Sequence, residues 1–427
     1  MNIQSARSTA NRKFWLYWGS YGASTFGTAI SSVAFPIIAI QVLGTNEFET
    51  GLLAACSYVA WLIIGLPAGS IVQRLPLREA QVWMDLVRGA AVASIPLTWI
   101  FDALSFLQLV VVALIISFAD VVYFVASATF IPHVVPGDQL QSRNSLMSGT
   151  HAVSQLGGPS IGGILIQVLG PVVTVLVNSV TYFISALLLR RLPSVTPNQD
   201  KKKLDVFTEI REGLRFTISD PLMRATLWNA TIINFVGGMQ LALFAIYLVR
   251  VQNVPAALLG FLLAFEGIGS LLGAGVSTWL VKAAGSARAC IYASALLSVG
   301  GIIIPLGDGI FALIYFAVGS CLFAIGTVIT STTTRTYRQL STPENLLSRV
   351  MATVRFISWG AVPIGSITAG LLGSQFGPRT ALYAAAALGT LSLFVLLLSP
   401  VLKLRNFPDS QPNVSDLSSK HGKAEEN

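Results

Sequence analysis

The sequence predicts an all-α membrane protein: twelve transmembrane helices arranged as two six-helix pseudo-repeats. Three observations predict it. Of 427 residues, 53% are apolar and only 11% are Asp, Glu, Lys or Arg, whereas about a quarter of a soluble domain is charged. The mean hydropathy is +0.70 over the whole length. Apolar runs long enough to cross a bilayer recur along the chain and fall into two groups of six, since a span needs about 20 such residues. This composition excludes a soluble enzyme, a disordered regulator and a nucleic-acid-binding module. A β-barrel would read as short alternating segments, not long continuous apolar runs. Cys56, Cys290 and Cys321 sit inside apolar runs without metal-ligand or disulfide spacing. No metal or cofactor is expected.

The first run, 14–43, is too long for a signal peptide and lacks a small-residue cleavage site, so it is kept as span 1. Span 2 (51–73) carries Pro67, and span 3 (80–101) opens beside the charges of 74–88. Span 4 (105–130) contains Asp120. Span 5 (144–168) holds Pro159 among glycines, and span 6 (171–189) starts just after Gly170. Bundles tolerate Pro and Gly in spans because neighbouring helices pair the freed backbone groups. The longest connection, 190–224, divides six spans from six. Glu209, Arg211, Glu212 and Arg215 fall at helical spacing inside it, so the segment reads as a surface helix or a polar tether. Spans 7 to 12 follow at 225–250, 256–281, 286–306, 310–334, 349–373 and 377–402. The expected domains are therefore an N-terminal segment 1–13, the halves 14–189 and 225–402, and a polar, disordered tail 403–427.

Lys and Arg accumulate on the cytoplasmic side of membrane proteins. Arg7, Arg12, Lys13, Arg74, Arg78 and Arg143 fall on one set of connections, together with the eight basic residues of the central one. Of 27 basic residues, the other set holds only Arg250 and Arg379. Both termini are expected in the cytoplasm, and the net charge of +8 is an orientation signal, not a nucleic-acid footprint. The halves also resemble each other in sequence. Asp138, Leu140, Ser142 and Arg143 match Glu344, Leu346, Ser348 and Arg349 before each fifth span. Gly170-Pro171 matches Gly377-Pro378 after it, and Gly69 has a counterpart in Gly275. Paired six-helix repeats holding a ligand near the midplane are a transporter architecture.

Span 5 contains Gly158-Pro159-Ser160-Ile161-Gly162-Gly163. Proline removes a helix hydrogen bond, and small residues let a neighbouring backbone approach. In the fifth of twelve spans, Gly158, Pro159, Gly162 and Gly163 resemble the antiporter signature of major facilitator superfamily drug exporters. Pro363, Gly365 and Gly370 give a weaker echo in span 11. Gly69 to Arg78 resembles the superfamily's loop after span 2. Gly69 and Arg74 match, and Arg78 takes the last basic position, whereas Gln73 stands where the family has Asp. The family's Asp helps to latch the halves on the cytoplasmic side, so Gln73 removes that ion pair. Asp85 and Arg88, three apart, supply charge nearby. MDLVRGA and FIPHVVPGDQLQSRNSL are similar to the macrolide-efflux and enterobactin-exporter branch of drug:proton antiporters. Span 4 lacks the arginine of the drug exporters.

Ionisable groups inside a span cost about 2.5–3.5 kcal/mol at its centre and so mark function by default. Glu266, in the middle of span 8 with no basic residue within a turn, is the first candidate for proton coupling or for meeting a cationic substrate. Asp120 is placed two-thirds along span 4, either titrating or paired with Arg88 or Arg143. Arg355 partners Asp120 or Glu266, or extends to the headgroups. His151 has a side chain suited to proton handling. Asn178, Asn234, Phe235, Phe265 and Trp359 are pocket candidates, being apolar or neutral hydrogen-bonding groups within spans. No G-x-x-x-x-G-K-[ST] occurs, so an ion gradient must drive uphill work. The resemblance implies a monomeric exporter in a bacterial inner membrane, moving lipophilic antibiotics, drugs or an endogenous metabolite such as a siderophore in exchange for protons. A proton-coupled importer of a small metabolite is the alternative. Nothing in the spans resembles a catalytic dyad, so an enzyme is not expected.

Overall fold

The computed structural model describes residues 3–72, 75–135, 139–194 and 206–408, and every regular element among them is helical. In chain order they are α1 (Ile3–Ile37), α2 (Glu47–Cys56), α3 (Val59–Ile63), α4 (Ala68–Val72), α5 (Leu77–Ile100), α6 (Phe106–Val134), α7 (Leu140–Leu169) and α8 (Pro171–Arg190). After them come α9 (Val206–Ser219), α10 (Pro221–Ile246), α11 (Ala256–Ala284), α12 (Ser286–Ile303), α13 (Gly309–Ser341), α14 (Glu344–Phe376) and α15 (Pro378–Leu397). Ten of these are individually long and apolar enough to cross a membrane. The other two crossings are α5, whose first turns carry charge, and span 2, which is broken into α2, α3 and α4.

That break corrects the continuous helix expected over 51–73. Pro67 has no N–H to give and disfavours helical geometry at Leu66. Ser57 turns its hydroxyl back onto Leu53 O (3.0 Å), and Ala60 N is answered by Ser117 Oγ of α6 (3.3 Å). Irregular backbone at membrane depth is stable only where protein or a cavity receives it, and here it has both. Several helices also outrun the apolar runs. At 33 residues, α13 and α14 are each about 50 Å long against a hydrocarbon core of about 30 Å. Their charged ends, with Arg335, Arg338 and Arg349, project on the side where the chain termini lie, here the terminal face. The helix expected around Glu209 is α9; Arg349 of α14 pairs with its Glu212.

The tail corrects a second expectation. Instead of losing order from 403, the chain forms a 3-10 turn at Pro400–Lys403 and then caps α12. Ala287 N donates to Arg405 O (3.1 Å) and Ser286 N to Asn406 Oδ1 (3.0 Å), which pairs donors that a helix N-terminus leaves open. Phe407 stacks on Tyr337 with centroids 4.4 Å apart. Residues 409–427 lie outside the described residues, as do Gln73, Arg74 and Asp138.

The repeat is stronger in the backbone than in the sequence. Both α1 and α10 end in π-turns, at Ile38–Val42 and Tyr247–Val251. Gly170 and Gly377 share one geometry, φ 81 and 83°, before the proline that starts the next helix. The halves meet along two matched seams on the face opposite the termini, the far face. In one, Gly163 of α7 lies on Gly260 of α11. In the other, Gly51 of α2 lies on Gly370 of α14. A Cβ on Gly260 would stand 2.1 Å from Pro159 O, and one on Gly51 2.7 Å from Ser366 O. Only glycine admits such backbone contact. Towards the terminal face α7 and α11 part, and Gly149 and Gly275 have nothing within 4 Å of a Cβ. The molecule is therefore closed at the far face and open at the terminal face.

Gly260→Leu is expected to open the far seam. With the native cysteines replaced by serine, spin labels at Val168→Cys and Phe261→Cys should report a distance distribution shifted outwards by several Å, roughly the thickness of the added side chain.

Candidate transport cavity and its charge network

Between the seams lies a cavity of about 260 Å³, walled mainly by the first half and closed by Leu241 and Ala242 of α10. Its polar lining comes from Thr28 and Ser31 of α1, Tyr58 at the break in span 2, Asp120 of α6, and Asn178 and Tyr182 of α8. Drug-sized sites usually enclose about 300–1,000 Å³, so this cavity holds one ring system and leaves the rest of a larger ligand in the open cleft.

Asp120 belongs to a buried charge network. Arg88 of α5 pairs with Asp85 one turn earlier on its own helix and with Asp120 across on α6. Tyr123 and Tyr182 cover the guanidinium faces, their centroids 4.5 and 4.4 Å from it. Ser185 Oγ donates to Asp85 Oδ2 (2.6 Å) and shares a hydrogen bond with Ser20 Oγ (2.7 Å); Tyr182 shares one with Thr28 (2.9 Å). Side-chain exposure is 0% for Asp85, 4% for Arg88 and 36% for Asp120, so Asp120 alone of the three meets the cavity. Two carboxylates on one guanidinium leave a formal charge of −1 when all three are ionised. A proton or a cation arriving at Asp120 cancels it.

The expected position of Asp120, two-thirds along its helix, is corrected to the midpoint, because α6 runs on to Val134. Its partner is Arg88. Arg143 instead donates to Asn11 Oδ1 (2.6 Å) and lies 4.3 Å over Phe14. Glu266 is exposed on α11 and makes no ion pair among the described residues. Arg355 partners neither acid; three aromatic rings enclose its guanidinium. His151 is exposed on α7 without a hydrogen bond among the described residues.

Of the five pocket candidates, Asn178 lines the cavity and Trp359 is one of the rings around Arg355. Asn234 donates to Ala230 O of its own helix (2.8 Å), Phe235 packs into the core, and Phe265 packs edge-to-face on Phe261. Those three do not line this cavity. In the loop motif, Gly69 falls in α4, and Arg78 ties the start of α5 to Leu192 O (2.7 Å) and pairs with Glu79. Arg78, Asp85 and Arg88 thus bind the first half together instead of reaching the second. The span-5 motif, on α7, is two-sided: Gly158 and Gly162 lie on Ala29 and Ile30 of α1, and Gly163 on α11. Sequence reasoning missed Tyr58, Trp61, Phe124 and Tyr182. A signal existed for two of them, since Phe124 follows Asp120 and Tyr182 follows Asn178 at i+4, on the same helix face.

A family model described as Major Facilitator Superfamily matches residues 17–362. The chain belongs to that superfamily. A multidrug efflux pump, Tap, of Mycolicibacterium fortuitum is 28% identical over 88% of this chain and 91% of its own length. The enterobactin exporter EntS of Shigella dysenteriae is 25% identical over 92% of each. Among solved structures, the nucleoside transporter NupG superposes with a TM-score of 0.75 over 93% of this chain and 99% of its own, at 9% identity. That likeness concerns the fold alone. The major facilitator fold accounts for the paired halves and the seams between them: α2 against α14 and α7 against α11 are the contacts across which one half can rock on the other.

Replacing Arg88 by Leu strands two carboxylates inside the first half, and losing one partner of a buried pair costs about 3–5 kcal/mol. Thermal unfolding in detergent should show a large fall for Arg88→Leu. Adding Asp85→Asn and Asp120→Asn to it should recover most of the loss.

Proposed function

We propose that this superfamily member is a secondary active exporter. It moves lipophilic small molecules out of the cell in exchange for protons by alternating access, and it works as a monomer in a bacterial cytoplasmic membrane with both termini inside. The observation that carries this reading is Asp120. It is a half-exposed carboxylate at the midpoint of α6, on the wall of a largely apolar cavity, in a network one positive charge short of neutral. A carboxylate so placed exchanges a proton for a cationic or polarised substrate group, the elementary event of antiport. Glu266, an exposed carboxylate on α11, adds a second negative charge from the other half. The efflux function in the names of the two curated relatives supports the direction of transport. The basic residues of the terminal face support its assignment to the cytoplasm. On that assignment the structure is open inwards, ready to load.

The test is compound accumulation in an efflux-deficient bacterial host expressing the chain, across macrolides, dyes and siderophore-like chelates, with and without a protonophore. Expression should lower accumulation, and the protonophore should restore it. Asp120→Asn and Glu266→Gln should each remove the protonophore-sensitive part, by about tenfold or more if each carboxylate takes part in coupling. Efflux by both variants at the normal rate would overturn the proton-coupling role. Net inward movement of a labelled metabolite would favour import.

A further inference from the structure

Beside the cavity the two halves are joined by a contact without an ion pair. The Arg355 guanidinium of α14 lies 4.5 Å from the ring centroid of Trp61 on α3, 4.4 Å from Phe124 on α6 and 4.5 Å from Trp359 on its own helix. Cation–π attraction offers no lone-pair acceptor to the N–H edges of a guanidinium. Those edges find no acceptor among the described residues, and Nε is buried without a partner. The indole N–H groups of Trp61 and Trp359 have none either, although the two rings meet edge-to-face with centroids 5.0 Å apart. Trp61 lines the cavity, and Phe124 is one turn from Asp120. The cluster is rich in donors and poor in acceptors, and it adjoins the ligand space through Trp61.

We infer that Arg355, with the indole N–H groups of Trp61 and Trp359, forms an anion subsite that anchors an acidic oxygen (carboxylate, phenolate or sulfonate) of an aromatic substrate. A guanidinium in low dielectric gains most from a charge-assisted acceptor, and the described residues supply none, so the ligand does. The ligand's ring continues the stack over Trp61 into the cavity. Asp120, one turn from Phe124 on α6, offers the opposite charge on the cavity wall, so a substrate carrying both an acidic and a basic group satisfies both walls. Because the subsite draws on both halves, its occupant bears on the contact between them. The inference rests on the export reading only for calling the ligand a substrate.

The test uses three ligands of one shape and different charge: naphthalene-1-sulfonate, 1-naphthylmethanol and 1-naphthylmethylammonium. Each is titrated calorimetrically into the purified full chain in lipid nanodiscs. The sulfonate should bind at least about tenfold tighter than the ammonium. Arg355→Gln should erase that preference while leaving the alcohol within about twofold. Trp61→Phe and Trp359→Phe keep the rings and remove the N–H donors, and should weaken the sulfonate selectively. Unchanged elution and thermal midpoint show that each variant is folded. Equal affinity for the three ligands, tighter binding of the ammonium, binding of none, or an Arg355→Gln protein that keeps the preference each overturns the subsite. Such a result leaves cellular efflux untouched, whereas loss of efflux in cells with the preference intact would remove the export reading alone.

Discussion

Hydrocarbon offers neither hydrogen bonds nor counter-charges, so every polar group this chain takes into the membrane needs a partner from the chain itself or from what it carries. Arg88 is where that constraint is most demanding. It is held by two carboxylates and two tyrosine faces, and the groups that hold it come from α5, α6 and α8, with α1 reached through Ser20 and Thr28. Four helices of the first half are therefore oriented around one guanidinium. Their shared orientation turns Asp120, Asn178 and Tyr182 towards the same cavity. The cavity is where the network's excess charge meets water or ligand.

Much of this was legible in the sequence, for physical reasons. Long apolar runs have one stable state in lipid, so the crossings, the central division and the amphipathic α9 could be read from pattern alone. The span-5 motif could be read because close backbone contact demands glycine, and Gly158, Gly162 and Gly163 each face a backbone or a Cβ that leaves no room for a side chain. Hydropathy was blind where a helix leaves the membrane, so α6, α13 and α14 came out short and Asp120 was placed off-centre. It was blind also to the break at Ser57–Tyr58, which depends on Ser117 of another helix accepting Ala60 N.

Partners across helices were the least legible part. Arg88 and Arg143 were equal as partners for Asp120 from the sequence, and only the packing of α5 on α6 separates them. For Arg355 the sequence left an acid or the headgroups as partner, yet what surrounds it is aromatic. Trp61 and Phe124 lie on distant stretches of chain, and no local pattern announces that they share a cation. Likewise the tail reads as polar, although Asn406 and Phe407 have specific work at the start of α12 and on Tyr337.

The two halves show how one scaffold came to carry unequal chemistry. In the first, Ser20 of α1 bonds to Ser185 of α8, which bonds to Asp85 of α5. In the second, at the matching places on α10, α15 and α12, Asn229 bonds to Ser392 O and to Ser294 Oγ. The same three helices are tied in both halves, once through a carboxylate with the hub on α8 and once through neutral groups with the hub on α10. The tie is thus a property of the repeat, and the charge is not. Only the half with Asp85 holds a buried arginine between two acids and presents Asp120 to the cavity. The other half presents Glu266 and Arg355 without ion-pair partners among the described residues. The repeat therefore fixes how the helices are tied together, and each half's own residues decide where its charge is held.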